Sequence, residues 1–238
     1  MAKSTFTFKY FDVLQSEEAM KVGTDAVLLG AWTPISETAD NILDIGAGTG
    51  VISLMLAQRC PDAQIDAVEL QPEAYELCVE NFENSPWGDR LFCYHASFQE
   101  FEEEFDAESY DVIVSNPPYH TEDYLAQKNS KKIARSEQFL PFESLFAGVA
   151  KLLTSDGFFS LIVPFNAFDQ VSETAKHFGL THSVFTYVKG TPSTPIKRVM
   201  FVFSKSPIPF SVPQEITLEY ERHQRTQAYD ELTKDFYL

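Results

Sequence analysis

The feature that most constrains the fold is a regular alternation of short apolar runs with longer amphipathic segments. Apolar runs typical of buried strands occur at residues 41–45, 64–70, 91–96, 110–115 and 158–164. Helical periodicity marks the segments 51–60, 72–85, 142–157 and 168–180, which lie between or after these runs. The helix in 142–157 is expected to end at Gly157. Strand–helix alternation of this kind indicates a parallel, doubly wound sheet whose ligands bind at the carboxyl ends of the strands.

The last two apolar runs, at 182–188 and 199–205, are separated by a loop rich in proline and glycine rather than by a helix. Because no crossover helix joins them, they are expected to pair as an antiparallel hairpin. No internal repeat or linker divides the chain. We therefore predict one domain, with an N-terminal extension over 1–40, a core over 41–205 and a tail over 206–238.

Composition excludes several classes of protein. The 238 residues suffice for one α/β domain, and no run of about 18 apolar residues predicts a membrane span. The N-terminus lacks the apolar stretch of a secretory signal, so a cytoplasmic protein is expected. Cys60, Cys78 and Cys93 show no C-x-x-C spacing, which predicts neither a disulfide framework nor a metal site.

The net charge of −17 argues against a general affinity for nucleic acid, because phosphate binding needs local positive charge. Basic residues nevertheless gather in two stretches. The first contains Lys128, Lys131, Lys132 and Arg135, and the second contains Lys189, Lys197 and Arg198. They could be ordinary solvated side chains or a basic rim on an acidic protein. The sequence leaves both interpretations open.

A glycine-rich heptapeptide, DIGAGTG at 44–50, follows the first strand and opens the helix after it. Gly46, Gly48 and Gly50 permit a tight turn and close backbone approach to a ligand, and the helix start presents unpaired N–H groups. Glu69 ends the next strand, about 20 residues on, where a carboxylate can accept hydrogen bonds from ribose hydroxyls. A valine stands where the third glycine of a phosphate-binding G-x-G-x-x-G would fall. The pattern favours a ribose-bearing cofactor without a pyrophosphate.

The pentapeptide SNPPY, residues 115–119, follows the fourth strand. Pro118 fixes its own φ and biases Pro117 towards an extended conformation, and neither proline can donate a backbone hydrogen bond. Asn116 and Tyr119 are therefore held stiffly at the end of a buried strand. Alone, the motif could be a rigid turn; behind a glycine loop and a strand-terminal carboxylate, it indicates a site that needs positioned hydrogen-bond acceptors.

Three motifs in this order, LDIGAGTG at 43–50, AVEL at 67–70 and SNPPY at 115–119, resemble those of class I methyltransferases that use S-adenosylmethionine. Asn-Pro-Pro-Tyr after the fourth strand is typical of the branch that methylates amino groups. The resemblance covers residues 40–205. It implies an α/β, Rossmann-like, seven-stranded class I methyltransferase sheet with an antiparallel last strand.

The resemblance extends to both ends of the chain. The N-terminal segment that includes GTDAVLLGAW, the loop and strand TPSTPIKRVMFVFSK and the final YDELTKDFYL are similar to the bacterial valine-tRNA adenine-N6 methyltransferases. That family acts at adenosine 37, beside the anticodon. The similarity implies S-adenosylmethionine as cofactor and the anticodon loop of a tRNA as partner, without a metal or a membrane.

Chemistry explains what such a site requires. The exocyclic amine of adenine is a poor nucleophile, because its lone pair is delocalised into the ring. Oδ1 of Asn116 and the carbonyl of Pro117 would accept hydrogen bonds from the amine, so that its lone pair points at the methyl group. Tyr119 would stack on the extruded base. Arg135 is a candidate for a phosphate contact.

The resemblance also implies a cofactor site formed by Lys21, Thr24, Asp25, Asp44, Gly46, Gly48, Gly50, Glu69, Leu70, Ser97, Phe98 and Asn116. Asp44 could hold the glycine loop or contact the ammonium group of the cofactor. Thr24 and Asp25 could contact its methionine end or begin a helix as a cap. Relatives carry an acidic residue where Ser97 stands, whereas Phe98 is expected to pack on the cofactor's adenine.

Other activities use the same chemistry. Methylation of a release-factor glutamine is the nearest alternative, but its enzymes usually carry a helical domain before the glycine loop, and about 40 residues precede it here. Guanine N2 of ribosomal RNA and adenine in DNA are further alternatives. An inactive cofactor-binding scaffold is the alternative outside enzymes.

Overall fold

A computed structural model describes residues 3–16, 21–35, 39–105, 107–118, 140–206 and 212–238. The predictions made for Tyr119, Lys128, Lys131, Lys132 and Arg135 lie outside these residues. Within the described ranges, no helix is long and apolar enough to cross a membrane.

The described residues form helices and strands that alternate through the core. The helices are α1 Thr24–Trp32, α2 Val51–Arg59, α3 Pro72–Glu83, α4 Phe98–Glu103, α5 Phe142–Leu152, α6 Phe168–His177 and α7 Gln227–Thr233. The strands are β1 Ser4–Thr7, β2 Asp12–Gln15, β3 Asn41–Ile45, β4 Gln64–Glu69, β5 Leu91–His95, β6 Tyr110–Ser115, β7 Leu153–Pro164, β8 Thr181–Lys189, β9 Ile196–Ser204, β10 Glu215–Thr217, β11 Glu219–Glu221 and β12 Gln224–Arg225. A 3₁₀ turn, Phe165–Ala167, joins β7 to α6.

The main sheet has the strand order β10-β8-β9-β7-β6-β3-β4-β5. The five strands from β7 to β5 are parallel. β9 is antiparallel to both β7 and β8, which confirms the hairpin and the seven-stranded sheet with an antiparallel last strand. The short β10 adds an eighth strand, parallel to β8, that the sequence pattern did not predict.

The segment 142–157 is only partly helical. Helix α5 ends at Leu152 and β7 begins at Leu153, so the expected helix end at Gly157 is wrong. Gly157 lies in β7, where an added β-carbon would come within 2.8 Å of the Asp111 carbonyl oxygen. The missing side chain lets β7 approach β6 at the point where the register of this strand pair shifts.

Alternate residues of the central strands face two separate hydrophobic layers, because successive side chains of a strand point to opposite faces. Ile42 of β3 packs in the layer that contains Leu54 of α2. Its neighbour Leu43 packs in the layer that contains Phe146 of α5. Helices therefore cover both faces of the sheet, and the near-continuous apolar runs of the sequence are those of doubly covered strands.

The two ends of the chain pack together. Strands β1 and β2 form an antiparallel hairpin, in which the rings of Phe8 and Phe11 stack with centroids 4.6 Å apart. The N–H of Lys9, in the turn of this hairpin, donates a hydrogen bond to the carbonyl of Phe236 at 2.9 Å. The C-terminal segment after α7 thereby closes onto the N-terminal hairpin.

Candidate active site

The carboxyl ends of β3 and β6 form the centre of the site. β3 lies between β4 and β6, so the chain leaves β3 towards one side of the sheet and leaves β6 towards the other. The crevice between two such strands is the usual place for a ligand in this architecture. The buried Ser115 Oγ donates a hydrogen bond to the Ile45 carbonyl at 2.9 Å. This bond ties the last residues of the two strands, so that Gly46 and Asn116 start from neighbouring points on the edge.

The glycine loop leaves an open cradle at this edge. Gly46, Gly48 and Gly50 have left-handed backbone conformations, with φ of 72°, 59° and 80°. Among the described residues, no atom lies within 4 Å of a β-carbon added at Gly46 or Gly48. At Gly50 such a carbon would lie 2.6 Å from the Phe82 ring and 2.8 Å from the Cys78 sulfur. Gly46 and Gly48 therefore face space that no described residue fills, while Gly50 lets α2 begin close to α3.

The Glu69 carboxylate, at the end of β4, holds this loop from the neighbouring strand. Its Oε2 accepts a hydrogen bond from the Gly48 N–H at 2.8 Å, and its Oε1 accepts one from the Gln71 N–H at 2.7 Å. Glu69 is only 7% exposed, so these charge-assisted bonds are its main stabilisation. Each carboxylate oxygen keeps a further lone pair, which can receive a hydroxyl of a ligand lying over the loop.

Asp44 connects the end of β3 to the start of α2. It is fully buried, and its Oδ2 accepts hydrogen bonds from the Ser53 hydroxyl at 2.7 Å and the Ser53 N–H at 3.2 Å. Oδ1 has no hydrogen-bond partner among the described residues. Burial raises the pKa of this carboxyl to about 7, against the lowering effect of Ser53, and nearby Glu69 adds to the rise. A cationic or hydrogen-donating ligand would complement the remaining oxygen.

Asn116 and Pro117 continue β6 beyond the hydrogen bond of Ser115. Pro117 is buried, Asn116 is partly exposed and Pro118 is exposed. Asn116 contributes a side-chain carbonyl and Pro117 a backbone carbonyl, and neither proline has an N–H group to donate. The end of β6 therefore presents acceptors on a stiff segment beside the glycine cradle.

Ser97 begins α4 as its N-cap. Its hydroxyl donates a hydrogen bond to the Glu100 carboxylate at 2.7 Å and accepts one from the Glu100 N–H at 3.2 Å, which forms a capping box. One lone pair of the hydroxyl remains for a ligand. The capping box also brings the Glu100 carboxylate next to Ser97.

Phe98 and Leu70 are apolar residues near the ends of β5 and β4, of which Phe98 is buried and Leu70 is exposed. Phe98 is 5% exposed, and its ring packs so closely on α5 that a β-carbon added at Gly148 would lie 2.5 Å from it. Leu70 is 38% exposed, and its carbonyl oxygen lies 3.2 Å from Nε2 of His95.

Helix α1 begins at Thr24, but the N-cap position belongs to Gly23. The prediction that Thr24 and Asp25 cap this helix is therefore wrong. Asp25 lies in the first turn, where its Oδ2 accepts a hydrogen bond from Arg198 Nε at 2.7 Å. Arg198 lies at the start of β9, opposite Pro164 at the end of β7. The ion pair therefore ties the start of α1 to the same edge of the sheet.

The described part of the expected basic rim includes two cations that carboxylates already engage. Lys189 forms an ion pair with Glu215 at 2.8 Å, and Arg198 forms one with Asp25. Lys197 and Lys21 are exposed. A phosphate group would have to compete for Lys189 and Arg198, whereas Lys197 projects from the exposed start of β9.

Comparison with known proteins identifies the family. Residues 15–184 match the family model described as the methyltransferase small domain, a range that includes the glycine loop, Glu69 and Asn116. The chain belongs to this family. Within it, a protein of Flavobacterium johnsoniae named tRNA1(Val) (adenine(37)-N6)-methyltransferase is 48% identical over 233 residues, with 98% of this chain and 99% of the relative covered. A protein of Christiangramia forsetii with the same name is also 48% identical, with 100% of this chain and 99% of the relative covered.

Solved structures agree with the fold of the methyltransferase small domain family. A predicted O-methyltransferase of Agrobacterium tumefaciens superposes with a TM-score of 0.67 at 20% identity, covering 89% of this chain and 96% of the other. Pyrococcus horikoshii TYW2, solved in complex with MeSAdo, superposes with a TM-score of 0.59 at 15% identity, covering 86% and 72%. The Rossmann-like class I methyltransferase fold is thereby confirmed.

Sequence reasoning missed two supporting residues and one ion pair of this methyltransferase domain. Ser53 anchors Asp44, and its place three residues after Gly50, in the first turn of the helix, was a usable signal. Ser115 precedes the proline motif and was part of the quoted pentapeptide, although its bond to Ile45 depends on strand order. The pairing of Asp25 with Arg198 joins residues 173 positions apart and left no local signal.

Proposed function

We propose that this protein transfers a methyl group from S-adenosylmethionine to the N6 amino group of adenosine 37 in a valine tRNA. The observation that carries the proposal is the stiff pair of acceptors, Asn116 and Pro117, next to the cradle of Gly46 and Gly48. Full-length relatives at 48% identity that carry the name of this activity support it.

The residues around the cradle fit S-adenosylmethionine, which supplies an activated methyl group on a sulfonium centre when bound. Glu69 can accept hydrogen bonds from ribose hydroxyls through its remaining lone pairs. Leu70 offers exposed apolar surface for the adenine, Ser97 retains an acceptor for its amino group, and the buried Phe98 would support this wall from behind. The buried Asp44 and the Asp25 carboxylate, with Lys21 and Thr24 nearby in sequence, suit the charged amino-acid end.

Catalysis in this proposal rests on preorganised acceptors rather than on a strong base. Oδ1 of Asn116 and the carbonyl of Pro117 accept hydrogen bonds from the two N6 hydrogens of the substrate adenosine. The nitrogen then pyramidalises, and its lone pair leaves conjugation with the ring. Positive charge that develops on N6 is stabilised by the same two oxygens, which cost no reorganisation because the prolines fix them, and it is removed when one N6 proton is released to water.

The tRNA partner is expected to present its anticodon loop. An unpaired adenosine can enter the site with less energy than a paired one, whose extrusion costs a few kcal/mol. Lys197 is the exposed cation at the start of β9, and Lys189 and Arg198 become available if phosphates displace their carboxylate partners. Further proposed contacts are the stacking of Tyr119 on the target base and phosphate contacts from Lys128, Lys131, Lys132 and Arg135, which lie outside the described residues.

The test uses an unmodified transcript of a bacterial valine tRNA and the same transcript with guanosine at position 37. With methyl-labelled cofactor, the first transcript should gain N6-methyladenosine, detected by mass spectrometry of its nucleosides, and the second should gain none. Ribosomal RNA, DNA and a release-factor protein serve as competing substrates. Label in any of these pools with none in the valine tRNA would overturn the proposal in favour of that substrate.

A further inference from the structure

Phe165 is an exposed aromatic residue that the proposed chemistry does not use. It is 41% exposed, whereas most large apolar side chains of the described core are buried. The residue opens the 3₁₀ turn directly after β7. An exposed ring on the ligand-binding edge of the sheet is a candidate binding surface.

The position of Phe165 relative to the site follows from strand register. β7 is parallel to β6, with Leu161 opposite Ser115, and adjacent strands lie about 4.8 Å apart. Phe165 follows the last residue of β7, so it lies on the same edge as Asn116. The glycine cradle lies on the other side of β6, over β3. The cofactor would occupy the part of the edge over β3, so Phe165 lies on the part that remains for the substrate.

Other aromatic residues anchor the Phe165 ring. It makes an edge contact with Tyr187, with centroids 5.6 Å apart and planes at 79°, and it lies 6.3 Å from the Phe168 ring. Phe168 in turn packs on the buried Phe201 at 5.0 Å. A ring supported in this way keeps one orientation and loses little conformational entropy when a planar ligand stacks on it.

The charges around Phe165 indicate which planar ligand suits it. Pro164, its neighbour, is the register partner of Arg198. The Arg198 side chain is paired with Asp25 of α1, so the exposed Lys197 is the cation of this strand end that a phosphate would meet first. An aromatic platform beside cations is the combination by which proteins bind single-stranded nucleic acid, since the ring stacks on a base while the cations contact phosphates. From this arrangement we infer that Phe165 stacks on an unpaired RNA base that flanks the target adenosine. The inference rests on the proposed function and adds a contact to its substrate.

Three substitutions separate stacking from simple apolar contact. Phe165→Ala should raise the KM for tRNA by about tenfold or more, the typical range for the loss of one stacked base. It should change kcat by less than about threefold, because the acceptors at Asn116 and Pro117 are untouched. Phe165→Trp should retain the wild-type KM, since it keeps a π face. Phe165→Leu should behave like Phe165→Ala, since leucine is apolar but not aromatic.

Phe92 provides a matched control on the opposite edge strand, β5, with an exposure of 42%. Phe92→Ala should leave the KM for tRNA at the wild-type value. The salt dependence of binding distinguishes the contribution of Phe165 from that of the cations. Phe165→Ala should shift the plot of log affinity against log salt without changing its slope, because stacking releases no counterions.

Binding is measured by fluorescence anisotropy of a labelled anticodon stem–loop, in parallel with methyl transfer and with thermal unfolding of every variant. If wild type transfers no methyl group to tRNA but binds the stem–loop, the proposed function fails, and the binding series still decides the role of Phe165. The stacking proposal is wrong if Phe165→Leu binds as wild type does, if Phe92→Ala is as weak as Phe165→Ala, or if wild type does not bind the stem–loop.

Discussion

A methyl group added at Gly48 tests whether the cradle is the cofactor site. Gly48 has a φ of 59°, and no described atom lies within 4 Å of a β-carbon added there. Gly48→Ala should therefore create no clash within the described protein, and its cost in stability should be the strain of a left-handed alanine, about 1–2 kcal/mol. Gly179 offers a matched control, with a φ of 76° and equally open space, in the turn between α6 and β8, away from the site.

The two variants should have similar stabilities and different affinities. If the cradle is the cofactor site, the cofactor fills the space at Gly48 and the added methyl overpacks the complex, which typically costs about 1–3 kcal/mol. At 1.4 kcal/mol per factor of ten, the Kd should rise by about 5-fold to 150-fold. Gly179→Ala should leave the Kd unchanged, because no ligand approaches that turn.

Calorimetric titration with S-adenosylhomocysteine gives the Kd of each variant, and urea unfolding gives its stability. The cradle assignment is refuted if Gly48→Ala binds as tightly as wild type, since a ligand that tolerates the methyl does not approach Gly48. It is equally refuted if Gly179→Ala loses as much affinity, because the effect would then come from backbone strain alone.

Three further predictions follow from the site. Asn116→Ala should lower kcat for tRNA methylation by roughly a hundredfold, as for the loss of one transition-state hydrogen-bond partner, with the Kd of S-adenosylhomocysteine nearly unchanged; a variant that keeps most of its turnover would make Asn116 structural. The raised pKa of Asp44, about 7, contributes stability that is present below about pH 4 and lost as the pH rises through about 7. The urea midpoint of Asp44→Asn relative to wild type should therefore increase between about pH 5 and 8, and a constant difference would contradict this. Lys197→Ala should flatten the salt dependence of tRNA binding and leave the Kd of S-adenosylhomocysteine unchanged. Arg198→Ala should weaken the binding of both ligands, because Asp25 loses its partner. If the two variants have equal effects on both ligands, this difference between Lys197 and Arg198 is refuted.

Local patterns were enough to predict the central sheet. The strands β3, β4 and β6 are buried on both faces and read as short apolar runs, and the glycines at 46, 48 and 50 mark a turn that only such residues adopt without strain. The absence of a helix between β8 and β9 predicted their antiparallel pairing. In each case, the deciding interactions lie within one strand, one turn or one connection.

Features that depend on distant contacts were missed or misplaced. Strand β10 has three residues, of which only Ile216 is buried, so its pairing with β8 depends on tertiary contacts and not on a pattern. The start of β7 at Leu153 was assigned to a helix, because Gly157 resembled a helix end while its actual role is the close approach to Asp111. The Asp25–Arg198 pair changed the interpretation of Arg198 from a free cation to one already engaged.

A net charge of −17 is compatible with an RNA substrate because charges act over a limited distance. The acidic stretch at residues 100–104 lies in and directly after α4, whereas Lys197 lies near the start of β9. The screening length at physiological ionic strength is about 8 Å, so only charges within about that distance of Lys197 contribute strongly to the field there. One of these carboxylates, Glu102, is also paired with Lys151. RNA affinity should therefore depend on the few groups near Phe165 and Lys197, and the total charge of the protein should matter only at low salt, where its field extends across the sheet.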